Sequence, residues 1–292
     1  MSAAGVKVEL KPGAYKSGLK PVWCPGCGDF GVLNALYRAM AQLQIEPSNT
    51  VILSGIGCSS RLPGYVKTYG FNGVHGRALT LATGVKTARP DLDVIAVGGD
   101  GDGLAIGGNH LIHTCRRNLD ILYIMMDNEI YGLTKGQAAP TTPSGDKTKS
   151  TFWGNPEPSV DPCELAISTG ASWVARGFSG DMKNLTQMIA AGLVHNGFSF
   201  LNVMSPCVTW RGDDQFKEMK AKLGYLPEDY DPARRASSVP YTREKDKLTC
   251  GILYEVETPS LTDRLEDIKE RAMAGGVAPT TKEMLTAFYP KF

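Results

Sequence analysis

The stretch Val94-Ile95-Ala96-Val97-Gly98-Gly99-Asp100-Gly101-Asp102-Gly103 runs from an unbroken apolar segment straight into glycines and carboxylates. Its apolar part does not alternate with polar residues, so it describes a strand buried on both faces, as in a parallel sheet. Runs of the same kind occupy residues 51–54, 121–126, 172–175 and 200–204. Helical patterns cover residues 31–43, 77–88, 104–117, 163–169 and 182–195. This alternation predicts an α/β fold, an open, mostly parallel sheet with helices on both faces.

In such sheets ligands sit beyond the carboxyl ends of the strands. The residues that follow each run are therefore the candidates for chemistry. Gly55-Ile56-Gly57-Cys58-Ser59-Ser60 follow the first, and the GDGDG turn follows the second. Asp127-Asn128-Glu129-Ile130-Tyr131-Gly132 follow the third, and Ser205-Pro206-Cys207 the last. Two tips carry cysteine and two carry carboxylate or amide. All four are expected at one edge of the sheet.

Two regions break the rhythm. Residues 138–158 are polar and rich in Pro, Thr and Lys, and loops of that length are lids, binding loops or disordered segments. Phe152 and Trp153 inside it could cover a site or anchor the loop. From Asp213 onward charge rises and the strand signal fades. Residues 211–292 are thus expected to form a helical or irregular C-terminal arm that packs on the domain of residues 1–210 or on a partner chain.

With 292 residues, 42% hydrophobic and 21% charged, the composition is that of an ordinary globular protein. Its 31 basic and 30 acidic side chains leave no electrostatic case for nucleic acid. No apolar run approaches the roughly 20 residues a membrane helix needs. Residues 1–13 lack the layout of a signal peptide, so a cytoplasmic location is expected.

Seven cysteines then argue for thiolates rather than disulfides. Cys24-Pro25-Gly26-Cys27 is a lone CxxC, ambiguous among zinc, iron–sulfur and redox roles. With Cys58 and Cys207 it could make four thiolates for a [4Fe–4S] cluster. The alternative is that Cys58 and Cys207 are small buried residues, the ordinary fate of a free cysteine. Cys115, Cys163 and Cys250 read as core. Gly26 to Gly31 satisfies G-x-G-x-x-G on paper, but no strand precedes it, so a nicotinamide site is not indicated.

The carboxylate tips say more. Asp100 and Asn128, on neighbouring strand ends, can offer hard oxygen ligands to one Mg²⁺, with the carbonyl of Ile130 as a third. Magnesium completes its octahedron with substrate phosphates, and amides at the following helix N-terminus favour the same anion. A diphosphate site is expected. Acidic turns that merely cap helices are the alternative.

In order, WCPGCGDFGVL, GIGCSS, HGRA, GDGD, DNEIYGLTKGQ and SPCVTW, spread over residues 20–210, resemble the β subunit of 2-oxoacid:ferredoxin oxidoreductases, most closely the 2-oxoglutarate type. The resemblance implies a thiamine diphosphate-binding fold, with that domain in residues 1–210. It implies that Cys24, Cys27, Cys58 and Cys207 ligate one [4Fe–4S] cluster and that Asp100, Asn128 and Ile130 bind Mg²⁺. Ile56, Gly57, Cys58, Ser59, His75, Gly101, Asp102, Gly132 and Leu133 would contact the cofactor. The implied reaction is oxidative decarboxylation with coenzyme A as acyl acceptor and ferredoxin as electron partner, in either direction. Arg61 and Lys135 follow site motifs and could pair with substrate carboxylates or be solvated surface charges.

No glutamate stands where the thiamine pyrimidine needs one, and no second ferredoxin-type cysteine run exists. Within the family that glutamate comes from a pyrimidine-binding domain on an α subunit, implying an α2β2 heterotetramer. Pyruvate or another 2-oxoacid remains an alternative substrate. A non-redox thiamine lyase with structural cysteines and a zinc-stabilised scaffold remain alternative functions.

Overall fold

The computed structural model describes residues 9–242, 244, 246–274, 280, 282, 283 and 286. Its elements are, in chain order, α1 (Asp29–Leu43), β1 (Thr50–Ser54), β2 (Tyr69–Asn72), α2 (Ala78–Ala88), β3 (Asp93–Gly99), α3 (Gly108–Arg117) and β4 (Ile121–Asp127). Next come α4 (Pro162–Thr169), β5 (Trp173–Phe178), α5 (Met182–Val194), β6 (Phe198–Met204), α6 (Val208–Arg211) and α7 (Gln215–Lys222). The chain continues with β7 (Leu223–Tyr225), α8 (Arg235–Thr242), β8 (Leu248–Glu255) and α9 (Leu261–Ala274).

The strands form one sheet in the order β2-β1-β3-β4-β6-β5-β8-β7. Among the described strands only the β5–β8 pairing is antiparallel. Side-chain alternation along each strand sorts the apolar runs to two cores. Ile52, Ile95, Val97, Ile124 and Leu201 pack with α1 and α5. Leu53, Val94, Ala96, Tyr123 and Phe200 pack with α2, α3 and α4 on the other face. Each Val, Leu, Ile or Phe among them contributes about 1.5–3 kcal/mol when fully buried, which favours placing the unbroken apolar runs between two helical layers.

The chain moves outward from β1 to β2 and then returns to place β3 on the other side of β1. That reversal opens a crevice at the β1 and β3 tips.

The five expected strands and five expected helices are present, with one interruption. Residues 101–106 form a π-helical turn before α3 starts at Gly108. Gly107 N–H donates to Asp102 O at 3.1 Å, spanning five residues instead of four. A Cβ on Gly107 would stand 2.5 Å from that same oxygen.

Three strands were not expected. All four residues of β2 are exposed, so no apolar run marks it. β7 and β8 extend the sheet within the stretch read as a C-terminal arm, which is therefore partly sheet; the last part of that arm lies outside the described residues.

One buried side chain fastens the sheet's amino-terminal edge. Asn118, in the left-handed region at φ 56° and 2% exposed, accepts from Ser172 Oγ (2.6 Å) and Phe198 N–H (2.9 Å) through Oδ1. Its carbonyl accepts from Leu261 N–H at 3.0 Å, holding α9. Asn118→Ala leaves the buried Phe198 N–H unmade and the Ser172 hydroxyl with His195 Nε2 alone, 2.7 Å away, and an unmade buried donor costs about 1–3 kcal/mol. The expected loss is of that size, read from urea unfolding; an unchanged midpoint would contradict it.

Candidate active site

The four expected tips belong to β1, β3, β4 and β6, which are consecutive in the sheet and parallel. Strands lie about 4.8 Å apart, so the Cys58 and Cys207 tips start on either side of two intervening strands. The loops lean inward across that gap. A methyl group placed on Gly132 would stand 3.6 Å from Cys58 Sγ, from Cys207 Sγ and from Asn128 Nδ2 alike. Cys24, Cys27, Cys58 and Cys207 all line one cavity of ≈ 130 Å³, together with Arg61, Asn128, Gly132 and Leu133.

Buried bonds hold this convergence. Gly28 N–H donates to Pro206 O at 3.0 Å. Beside it Ser205 Oγ donates to Asp29 Oδ1 at 2.7 Å. Asp29 is two residues past Cys27 and Ser205 two before Cys207, so the pair staples the CxxC hairpin to the β6 tip. Trp23 Nε1–H donates to Cys58 O at 2.8 Å, tying the hairpin to the β1 tip. Trp23 is wedged edge-on against Tyr65 and Phe30.

The electrostatics fit an iron–sulfur cluster. Burial, and then the Asp29 carboxylate, push the Cys58 thiol up to about 12 and the Cys27 thiol higher still. Burial also raises Cys207. Thiols so placed stay neutral unless a cation stands beside them. Among the described residues no three His, Cys, Asp or Glu side chains gather closely enough for a single metal ion. Four sulfurs lining one cavity match the donor set of a [4Fe–4S] cluster. Cys115, Cys163 and Cys250 are buried elsewhere, as core.

At the neighbouring tips Asp100 and Asp127, each 2% exposed, share the Thr141 hydroxyl, which lies 2.6 Å from Asp100 Oδ2 and 3.0 Å from Asp127 Oδ1. Burial pushes Asp127 up to about 6, outweighing the Arg176 charge nearby. Burial, then the charge of Asp127, lift Asp100 well above the carboxylate range. Carboxylates this short of countercharge suit a divalent cation with phosphate ligands. Asn128 Oδ1 accepts from Ile130 N–H at 3.1 Å, fixing the turn that carries both. Tyr131 Oη donates to Gly101 O at 3.0 Å.

Asp102 faces the protein itself. Its Oδ1 accepts from Ile56 N–H (3.0 Å) and Gly76 N–H (2.7 Å) and lies 2.6 Å from His75 Nδ1. The ring nitrogen is close but not aligned for a hydrogen bond. One carboxylate thus joins the β1 tip, the β3 tip and the loop leading to α2. A Cβ on Gly55 would fall 1.9 Å from Asp102 Oδ2, so only glycine fits there. Ser59 Oγ is buried without a partner, a polar atom that a phosphate could satisfy.

Arg61 is exposed and lines the cysteine cavity; Lys135 is exposed, with φ 79°, in the loop just past Leu133. The long loop of residues 138–158 is tied down by Thr141 and by the Asp146 carboxylate, which Arg211 Nη1 approaches to 2.6 Å. Arg211 Nη2 also reaches Glu129 at 2.9 Å. Phe152 and Trp153 are 72% and 88% exposed and do not anchor it. Asp127 and Ser205 were placed at the strand tips by the sequence, but their partners Thr141 and Asp29 carry no spacing signal of their own and only the fold brings them in.

Gly28→Ala tests the staple. Its Cβ would stand 2.7 Å from Pro206 N, so overpacking should cost about 1–3 kcal/mol. A melting temperature equal to the parent's would show that the hairpin does not depend on this contact.

A family model for the thiamine pyrophosphate enzyme C-terminal TPP-binding domain matches residues 55–203. Another, for the C-terminal part of the pyruvate ferredoxin oxidoreductase beta subunit, matches residues 207–270. The chain is 40% identical to 2-oxoacid:ferredoxin oxidoreductase 2 subunit beta of Aeropyrum pernix, over 92% of this chain and 91% of that one. It is 38% identical to 2-oxoglutarate synthase subunit KorB of Methanocaldococcus jannaschii, over 87% and 94%. A solved structure, 2-oxoglutarate:ferredoxin oxidoreductase from Magnetococcus marinus with 2-oxoglutarate, coenzyme A and succinyl-CoA bound, superposes with a TM-score of 0.90 at 40% identity, covering 96% of this chain and 97% of that one. The α/β fold is the thiamine diphosphate-binding fold, and the chain belongs to the β-subunit family of 2-oxoacid:ferredoxin oxidoreductases.

Proposed function

We propose that the chain is the cofactor-binding subunit for coenzyme A-dependent oxidative decarboxylation of 2-oxoglutarate to succinyl-CoA and CO2, with electrons delivered to ferredoxin. The convergence of four cysteine side chains, from the hairpin before α1 and the β1 and β6 tips, around one cavity beside Asn128 is the observation that carries this reading. Relatives and a structural neighbour named for 2-oxoglutarate support the substrate.

When bound, thiamine diphosphate supplies an electron sink for loss of CO2, and a cluster supplies a one-electron acceptor beside it. Asp100, Asn128 and the Ile130 carbonyl would hold Mg²⁺. Ile56, Gly57, Cys58, Ser59, His75, Gly101, Asp102, Gly132 and Leu133 would shape the cofactor cradle, with Asp102 setting the amides of Ile56 and Gly76 in place. Cys24, Cys27, Cys58 and Cys207 would ligate one [4Fe–4S] cluster. Arg61 and Lys135 would pair with substrate carboxylate, Arg61 with a bidentate fork. The domain of residues 1–210 does this work, and residues 211–292 pack on it or on a partner. The α subunit would bring the pyrimidine-binding domain in an α2β2 heterotetramer. No helix among the described residues is long and apolar enough to cross a membrane; a cytoplasmic enzyme is proposed.

The test is anaerobic purification of the chain alone and with its α partner. The complex should reduce ferredoxin with 2-oxoglutarate and coenzyme A, faster than with pyruvate, and the chain alone should be inactive. Activity of the lone chain, or preference for pyruvate, would overturn the reading. In the complex, Asp100→Ala should weaken Mg²⁺-dependent thiamine diphosphate binding by more than about 100-fold, since even partners of metal ligands cost 10–100-fold. Calorimetric titration reads it, and unchanged affinity would remove Asp100 from the site.

A further inference from the structure

Resting on that reading, we propose that the electron partner docks on a cationic ledge formed by residues 16–24 and 61–67, directly over Cys24, and that this partner is a small acidic ferredoxin. Cys24 is the exposed member of the cysteine set, whereas Cys27, Cys58 and Cys207 are half-buried. Electron transfer falls steeply with distance, so an acceptor gains most by meeting the cavity at its open side.

On the side formed by residues 16–24 and 61–67, the opening carries one sign of charge. No Asp or Glu occurs between Glu9 and Asp29, nor between Glu46 and Asp91. The two segments are joined: Lys16 bridges to Val66, Ser17 N–H donates to Tyr65 O at 3.0 Å, and Val22 N–H donates to Tyr65 Oη at 3.0 Å. Lys16, Lys20, Arg61 and Lys67 are therefore carried on one ledge, all exposed. Among the described residues none of them is ion-paired, while Arg89, Arg176, Arg211, Lys86 and Lys217 are. The whole chain has a net charge of only +1, so this is a local concentration of charge.

Leu19 and Val22, 65% and 68% exposed, give the ledge an apolar centre. An apolar centre ringed by cations is the anatomy of a transient interface with an acidic protein, and such charge speeds encounter by 10 to 10³-fold.

The test uses the complete complex with the double variant Lys20→Glu/Lys67→Glu, neither residue lying in the proposed catalytic or cofactor set. Initial rates of 2-oxoglutarate-dependent reduction are measured with an acidic ferredoxin and, separately, with methyl viologen, a small dication. The ferredoxin second-order rate should fall by about tenfold or more at low salt, and its salt dependence should flatten. The methyl viologen rate should not slow. An unchanged ferredoxin rate overturns the docking surface while leaving the function standing. Equal slowing with both acceptors places the effect in the chemistry, and failure to assemble places the ledge against the α subunit; both overturn it. A parent complex that reduces neither acceptor refutes the underlying function instead.

Discussion

A buried carboxylate organises the upper edge of this sheet. Asp102 accepts from the amides of Ile56 and Gly76 while standing on the β3 tip itself, so three loops that leave the sheet in different directions are drawn to one point. Burying a charge is costly unless its hydrogen bonds are satisfied, and here backbone donors satisfy it. Gly55 and Gly107 are the steric counterpart, each allowing a main-chain approach that a Cβ would block. The strand-order reversal opens the crevice between β1 and β3, and this clamp holds the loops that line it.

Around it the structure concentrates groups that are uncomfortable alone. Asp29 is pushed up to about 6 by burial, Glu129 to about 7 by burial and the charge of Asp127, and the cysteine thiols higher. Such clustering is costly for folding and typical of functional sites, where bound cations restore balance. The hydrogen bonds between Asp29 and Ser205, and between Trp23 and Cys58, hold the cysteine-bearing segments together.

Much of this was legible beforehand. Unbroken apolar runs located β1, β3, β4, β5 and β6 because strands buried on both faces need side chains that are apolar on both. The glycine, carboxylate and cysteine tips were legible because parallel strands point their carboxyl ends the same way. β2 was invisible because an edge strand with four exposed residues has no hydrophobic pattern. β8 was missed in a charged stretch, since it joins β5 antiparallel across a register shift rather than by the repeated crossover. Thr141 and the Arg211 bridge to Glu129 and Asp146 connect residues far apart in sequence, which no local spacing can announce.

The central claim is that sulfurs from three separate segments share one cubane. The most direct measurement is iron, zinc and acid-labile sulfide content of the anaerobically isolated complex, parent against Cys207→Ser, with the electron paramagnetic resonance spectrum after dithionite reduction. One cubane per chain in the parent, with equal iron and sulfide, and its loss or an altered spectrum in the variant, is the predicted result. Zinc in place of iron, or iron content and spectrum unaffected by the substitution, would contradict it.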